Sequence, residues 1–188
     1  MKHLLLFLTL ITSIGVNAQL SNEQKKEIES IQKRIETANH DSTIINGWIS
    51  WDDIIWGVDP ELDFKLNKKI KDLCEKNLKK SLSKIEKRFY DKNYAKALHN
   101  FGAVFYEKGD YAKAINYFMH SLKIKEEVGD KQGAAASINN IGNIYLEQGD
   151  NEKAKKYYKR SLKISRELKN ETAIASALSN IGLLFSSD

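Results

Sequence analysis

Apolar residues recur every three or four positions along most of the chain, the spacing that gathers them on one face of an α-helix. From Ala97 to Phe185 the pattern also repeats itself. Leu98, Phe101, Gly102 and Phe105 return as Ile138, Ile141, Gly142 and Tyr145, and again as Leu178, Ile181, Gly182 and Phe185. The interval is about 40 residues, in the range of stacked supersecondary units rather than of one globular core. In each complete unit a second helix follows, carrying Ala114, Phe118, Ser121 and Leu122, then Ala154, Tyr158, Ser161 and Leu162. Between the two helices stand Gly109-Asp110 and Gly149-Asp150; glycine suits the turn and aspartate caps the next helix. Glycine or alanine at a helix crossing lets the backbones approach, and the bulky residue a turn away fills the neighbouring space.

Upstream the pattern is less regular. Ser21-Asn-Glu-Gln opens a polar helix with a narrow stripe of Ile28, Ile31 and Ile35, expected to cap the first packed pair within residues 19–40. After Asn39-His40-Asp41-Ser42 a second helical pattern carries Ile44, Ile45, Trp48, Ile49, Trp51, Ile54, Ile55 and Trp56. The tryptophans are expected to pack rather than to form an exposed box. Gly57 closes this helix, Asp59 caps the next and Pro60 occupies its first turn, where no backbone donor is required. A long amphipathic helix follows through Leu62, Leu66, Ile70, Leu73, Cys74 and Leu78, with Lys and Glu on its other face. After a break near Lys80-Ser81, the residues Leu82, Ile85, Phe89 and Tyr90 lead into Ala97. Residues 41–96 thus form a diverged first pair with a lead-in helix, and residues 97–188 an array of two full repeats and a truncated third.

The first eighteen residues follow a different logic. Met1-Lys2-His3 precedes an apolar run from Leu4 to Ile11, then small residues ending in Val16-Asn17-Ala18. A basic start, a short apolar stretch and a small-residue cleavage pair make a secretory signal peptide over residues 1–18. The mature chain is then expected to begin near Gln19, in the periplasm or secreted. No cysteine follows to carry a lipid anchor, and the apolar run is shorter than the roughly 20 residues a membrane span requires.

Composition narrows the function. In 188 residues 29% are charged and 41% apolar, the balance of a folded soluble chain, and one proline fits helix throughout. The single cysteine, Cys74, has no second thiol for a disulfide or metal clasp and is expected to be buried. The net charge of +5 comes from lysines interleaved with Glu and Asp, so no nucleic-acid footprint is expected, since that needs clustering on one surface. His40, His99 and His120 are far apart, and no paired metal ligands, Gly-rich phosphate loop or nucleophile elbow occurs. No catalytic residue, metal site or cofactor is expected.

The order of small and large residues in the repeats resembles the tetratricopeptide repeat, in a longer form of about 40 residues per unit. The resemblance implies an all-α fold, a right-handed superhelix of antiparallel helix pairs, or α-solenoid. Two departures are visible: the proline that often ends the second helix is missing, and Ser121 and Ser161 stand where alanine is common. The resemblance also implies a concave wall made by the first helix of each pair. Its groove positions fall on His99, Asn100, Ala103 and Tyr106, then on Asn139, Asn140, Asn143 and Leu146, then on Ser179 and Asn180. An asparagine recurs at 100, 140 and 180. Its amide can clamp the backbone of an extended peptide or bond the neighbouring repeat's backbone, and both readings stand. The layout further resembles the extracytoplasmic input region of bacterial signalling proteins; on that resemblance either the chain is a fragment of a longer receptor or its unfinished end pairs with something. The expected function is a non-catalytic scaffold binding a peptide or protein segment outside the cytoplasm. The alternative is self-association through the incomplete C-terminal repeat.

Overall fold

The computed structural model describes residues 19–55 and 57–185. The proposed signal peptide and Trp56 lie outside the described residues. Those described form eight α-helices and no strand: α1 (Asn22–Glu36), α2 (Asp41–Ile55), α3 (Pro60–Leu78), α4 (Lys84–Glu107), α5 (Tyr111–Glu127), α6 (Lys131–Glu147), α7 (Asn151–Glu167) and α8 (Glu171–Phe185). They divide into two compact units, one reaching Ser81 and the other starting at Leu82. The first holds α1–α3 and the second α4–α8.

In the first unit α1 packs on α2 and α2 on α3. Ser21 and Gln24 form a reciprocal capping box at the start of α1, each satisfying a backbone donor that the first helical turn leaves open. At α3 the Asp59 carboxylate accepts from the Glu61 and Leu62 amides, with Pro60 in the first turn. Ile28, Ile31, Trp51, Ile55, Leu62 and Leu66 make the core. Trp51 is fully buried, and Trp48 packs half-buried on the same cluster, so both are packing residues. Cys74 is buried, as expected. A polar bridge crosses this core: Asn67 Nδ2 donates to Asp52 Oδ1 at 2.9 Å and to Asp63 Oδ1 at 2.7 Å.

The second unit is an α-solenoid of helix pairs. α4 pairs with α5 and α6 with α7, while α5 meets α6, α7 meets α8, and the first helices α4, α6 and α8 touch in series. The helix crossings explain the repeated glycines. A Cβ at Gly102 would sit 2.7 Å from the Phe118 ring, and one at Gly142 equally close to Tyr158; the aromatic knob and the missing side chain are one feature. The serines that depart from the usual alanine tie each pair together, since Ser121 Oγ donates to the Ala95 carbonyl at 2.7 Å and Ser161 Oγ to Ala135 at 3.0 Å. Ile85, expected on the apolar face, is 82% exposed. Helix α4 has 24 residues and α5 has 17, so the first two turns of α4 run past the end of its partner. The α4 helix also crosses residues 96 and 97 without interruption.

Candidate peptide-binding groove

All ten groove positions named from the sequence lie on α4, α6 and α8, the first helices of successive pairs. Asparagines of α6 and α8 meet side chain to side chain. Asn180 Nδ2 on α8 donates to Asn139 Oδ1 at 3.1 Å and to Asn143 Oδ1 at 3.3 Å, both on α6. Tyr158 on α7 donates its hydroxyl to the same Asn143 oxygen at 2.9 Å. One interface earlier, Asn140 Nδ2 lies 3.4 Å from His99 Nε2 on α4. Helical register makes this possible, because residues three and four apart share a face and the repeat brings that face round once per unit.

The remaining positions differ in access. Asn100 is 9% exposed. Ala103 and Tyr106 are half-buried, and the Tyr106 ring lies 5.9 Å from Tyr111 across the turn to α5. Leu146 packs half-buried on the core around Tyr158, while Ser179 is exposed. The structure therefore joins His99 with Asn140, and Asn139 with Asn143 and Asn180. It leaves Tyr106 and Ser179 outside these two networks.

His99 anchors a buried polar chain that was not anticipated from the sequence. Its Nδ1 lies 3.0 Å from Ser137 Oγ, which also receives a hydrogen bond from Lys125 Nζ at 3.1 Å. Ser137 and Lys125 are both buried. Burial pushes the His99 ring from 6.5 down to about 3, and the Lys125 charge pushes the same way. Burial likewise brings the Lys125 amine down to about 8, against the opposing pull of Asp130. His99 is thus neutral at pH 7. The signal that could have found this chain is Lys125 itself, a lysine at the position where the next repeat has Ser165.

Beside the asparagines a groove of about 320 Å³ opens between α6, α7 and α8. Ala136, Asn139 and Asn140 line it from α6, Ser165 from α7, and Ala173 and Ser176 from α8. No acidic or basic side chain is among its described lining. Ser165 Oγ is buried and takes no hydrogen bond from the described residues. Among those residues no group of three or more His, Cys, Asp or Glu is placed to hold a metal.

The sequence profile of the tetratricopeptide repeat matches residues 72–127 and 133–188, more than half of the chain. The chain belongs to the tetratricopeptide repeat family. As a tetratricopeptide repeat protein it is a protein-interaction scaffold, and repeats of this family are in general non-catalytic. Among solved structures it is similar to BtubC (BKLC) from P. vanneervenii, at 19% identity and a TM-score of 0.65, over 89% of this chain and 67% of that one. At that identity the likeness speaks to the fold. No curated protein matches the chain. No helix among the described residues is long and apolar enough to cross a membrane.

Proposed function

We propose that this tetratricopeptide repeat protein binds an extended peptide or protein segment along α4, α6 and α8, outside the cytoplasm, as the sensing part of a signalling system. The observation that carries the binding reading is the pair of amides, Asn139 and Asn140, that line an uncharged groove. Asn139 Oδ1 is engaged by Asn180, which leaves the Asn139 Nδ2 hydrogens for a ligand, and Asn140 has one amide end beyond His99. Peptide main chain offers a matching donor and acceptor at every residue. The extracytoplasmic placement rests on the leader-like residues 1–18.

Short random peptides displayed on phage and panned on the purified protein test the binding reading. Wild-type protein is expected to enrich a family of sequences. Asn139→Ala with Asn140→Ala is expected to abolish their retention while lowering the melting temperature by only a few degrees; equal retention by the double variant refutes the reading. N-terminal sequencing of exported protein is expected to start near Gln19, and an intact Met1 counts against the proposed location.

A second reading, self-association through α8, is favoured by a separate observation. Leu178 and Leu183 are 45% and 50% exposed, and a Cβ at Gly182 would meet nothing within 4 Å. Sedimentation velocity over a wide concentration range distinguishes the two, since the peptide scaffold tolerates a monomer and the assembly module does not.

A further inference from the structure

The groove between α6, α7 and α8 has a counterpart one repeat earlier, and the difference between the two is chemical. Moving back by 40 positions, Ser165 becomes Lys125, Asn139 becomes His99, Asn170 becomes Asp130 and Ala177 becomes Ser137. In the earlier interface Lys125, Ser137 and His99, each larger than its counterpart, fill the space themselves: Lys125 Nζ reaches Ser137 Oγ, and Ser137 meets His99 Nδ1. Three ionisable side chains there are replaced by three neutral ones in the later interface. The long lysine stem is lost as well. What remains is the 320 Å³ groove, whose lining includes Ser165, Asn139 and Asn170.

Two features of the vacated site state what it will accept. First, hydrogen-bonding groups remain open: Ser165 Oγ, buried with no partner among the described residues, the Asn139 Nδ2 group, and one end of the Asn140 amide. An apolar occupant would leave these groups dry and unmatched, which is unfavourable. Second, the described lining holds no countercharge, so a carboxylate or ammonium would be stripped of water without compensation. The earlier interface makes the point internally. Lys125 is tolerated there beside Ser137 with Asp130 acting in its favour, whereas the later interface has Asn170 in place of that carboxylate.

We infer that this groove receives one long uncharged amide side chain, glutamine, of the bound peptide, in the place that Lys125 fills one interface earlier. The inference rests on the peptide-binding reading and adds the side chain it selects. The glutamine stem lies along Ala136, Ala173 and Leu168, all lining residues, and its head presents one acceptor and two donors to the two asparagines and Ser165. A groove of this size is at the lower end of ligand pockets, which run from about 300 Å³ upward, and suits one side chain with its adjoining main chain. Ser165 has the usual staggered χ1 positions from which to turn its hydroxyl to the head group.

The test uses the full chain and the phage-displayed random peptides already described. The enriched family is expected to share a glutamine, and a synthetic peptide of that family, read by fluorescence anisotropy, is expected to weaken by about tenfold or more when this glutamine becomes Glu, Lys or Leu. Refilling the groove with Ser165→Lys, Asn170→Asp and Ala177→Ser is expected to bring the glutamine peptide down to the level of its leucine form. Ala173→Leu narrows the same groove from α8 and gives the same result if the triple variant does not fold, as judged by its melting temperature. Enrichment of peptides anchored by a charged or aromatic residue, or equal affinity of the glutamine and leucine forms, overturns this inference and leaves the peptide groove standing. Failure of the wild-type protein to enrich any peptide family overturns both.

Discussion

At Lys169 the backbone takes φ 53°, a left-handed value held by a lysine, where the preceding repeat has Gly129 at φ 72°. A side chain in that region costs about 1–2 kcal/mol relative to glycine, partly offset by the greater freedom of glycine in the unfolded chain. Lys169→Gly is therefore expected to stabilise the protein by about 1 kcal/mol, read as a melting temperature raised by several degrees. His99 carries the opposite kind of liability. Its folded value of about 3 lies below the 6.5 of the free ring, so the unfolded chain takes up the proton first. The stability contributed by the neutral ring is whole above pH about 6.5 and falls by up to about 1.4 kcal/mol per pH unit as pH drops toward 3. Lys125 follows the same sign at higher pH: with its amine lowered from 10.5 to about 8, stability falls as pH drops from 10.5 to 8 and is then flat. Urea midpoints at pH 7 and pH 4.5 check the histidine; His99→Gln is expected to remove most of the acid-side decline. The left-handed lysine and the buried histidine were both out of reach of periodicity, since neither backbone sign nor burial depth is written in spacing.

Among the elements, the glycine-to-aromatic crossings recur while the surroundings change. Gly142→Ala would place a methyl 2.7 Å from the Tyr158 ring, an overpacking expected to cost about 1–3 kcal/mol. Gly182→Ala meets nothing within 4 Å and is expected to gain up to about 1 kcal/mol from helix propensity. Chemical denaturation of the two variants side by side checks the contrast; equal effects would mean that the crossings are not tight. The caps behaved as their chemistry dictates. Asp110, Asp130 and Asp150 each accept from the backbone amide three residues on, and Ser83 with Glu86 closes a capping box at the start of α4. The Ser-x-x-Glu signature at Ser83 is local and readable, and so were the glycine turns. The exposure of Ile85 was not, because it depends on where the partner helix stops.

For the molecule as a whole, the chain outside a helix at residues 79–83 marks the boundary between the two units. Lys79 and Lys80 are exposed there, and exposed non-helical chain is the preferred place for proteolysis. Limited trypsin digestion is expected to cut first after Lys79 or Lys80, leaving fragments that mass spectrometry assigns to the two units; first cuts inside α5 or α7 would contradict this. The repeat length, the helix pairs, the crossing glycines and the positions of all ten candidate groove residues on first helices were determined by the sequence alone, since periodicity and capping are local and each repeat confirms its neighbour. Tertiary structure decided the rest. It set Asn180 against Asn139 and Asn143, buried Lys125 and Ser137 against His99, and emptied the equivalent space beside Ser165. These outcomes depend on which side chains from different repeats meet at one point, a relation between residues about 40 positions apart that packing creates and linear spacing does not contain.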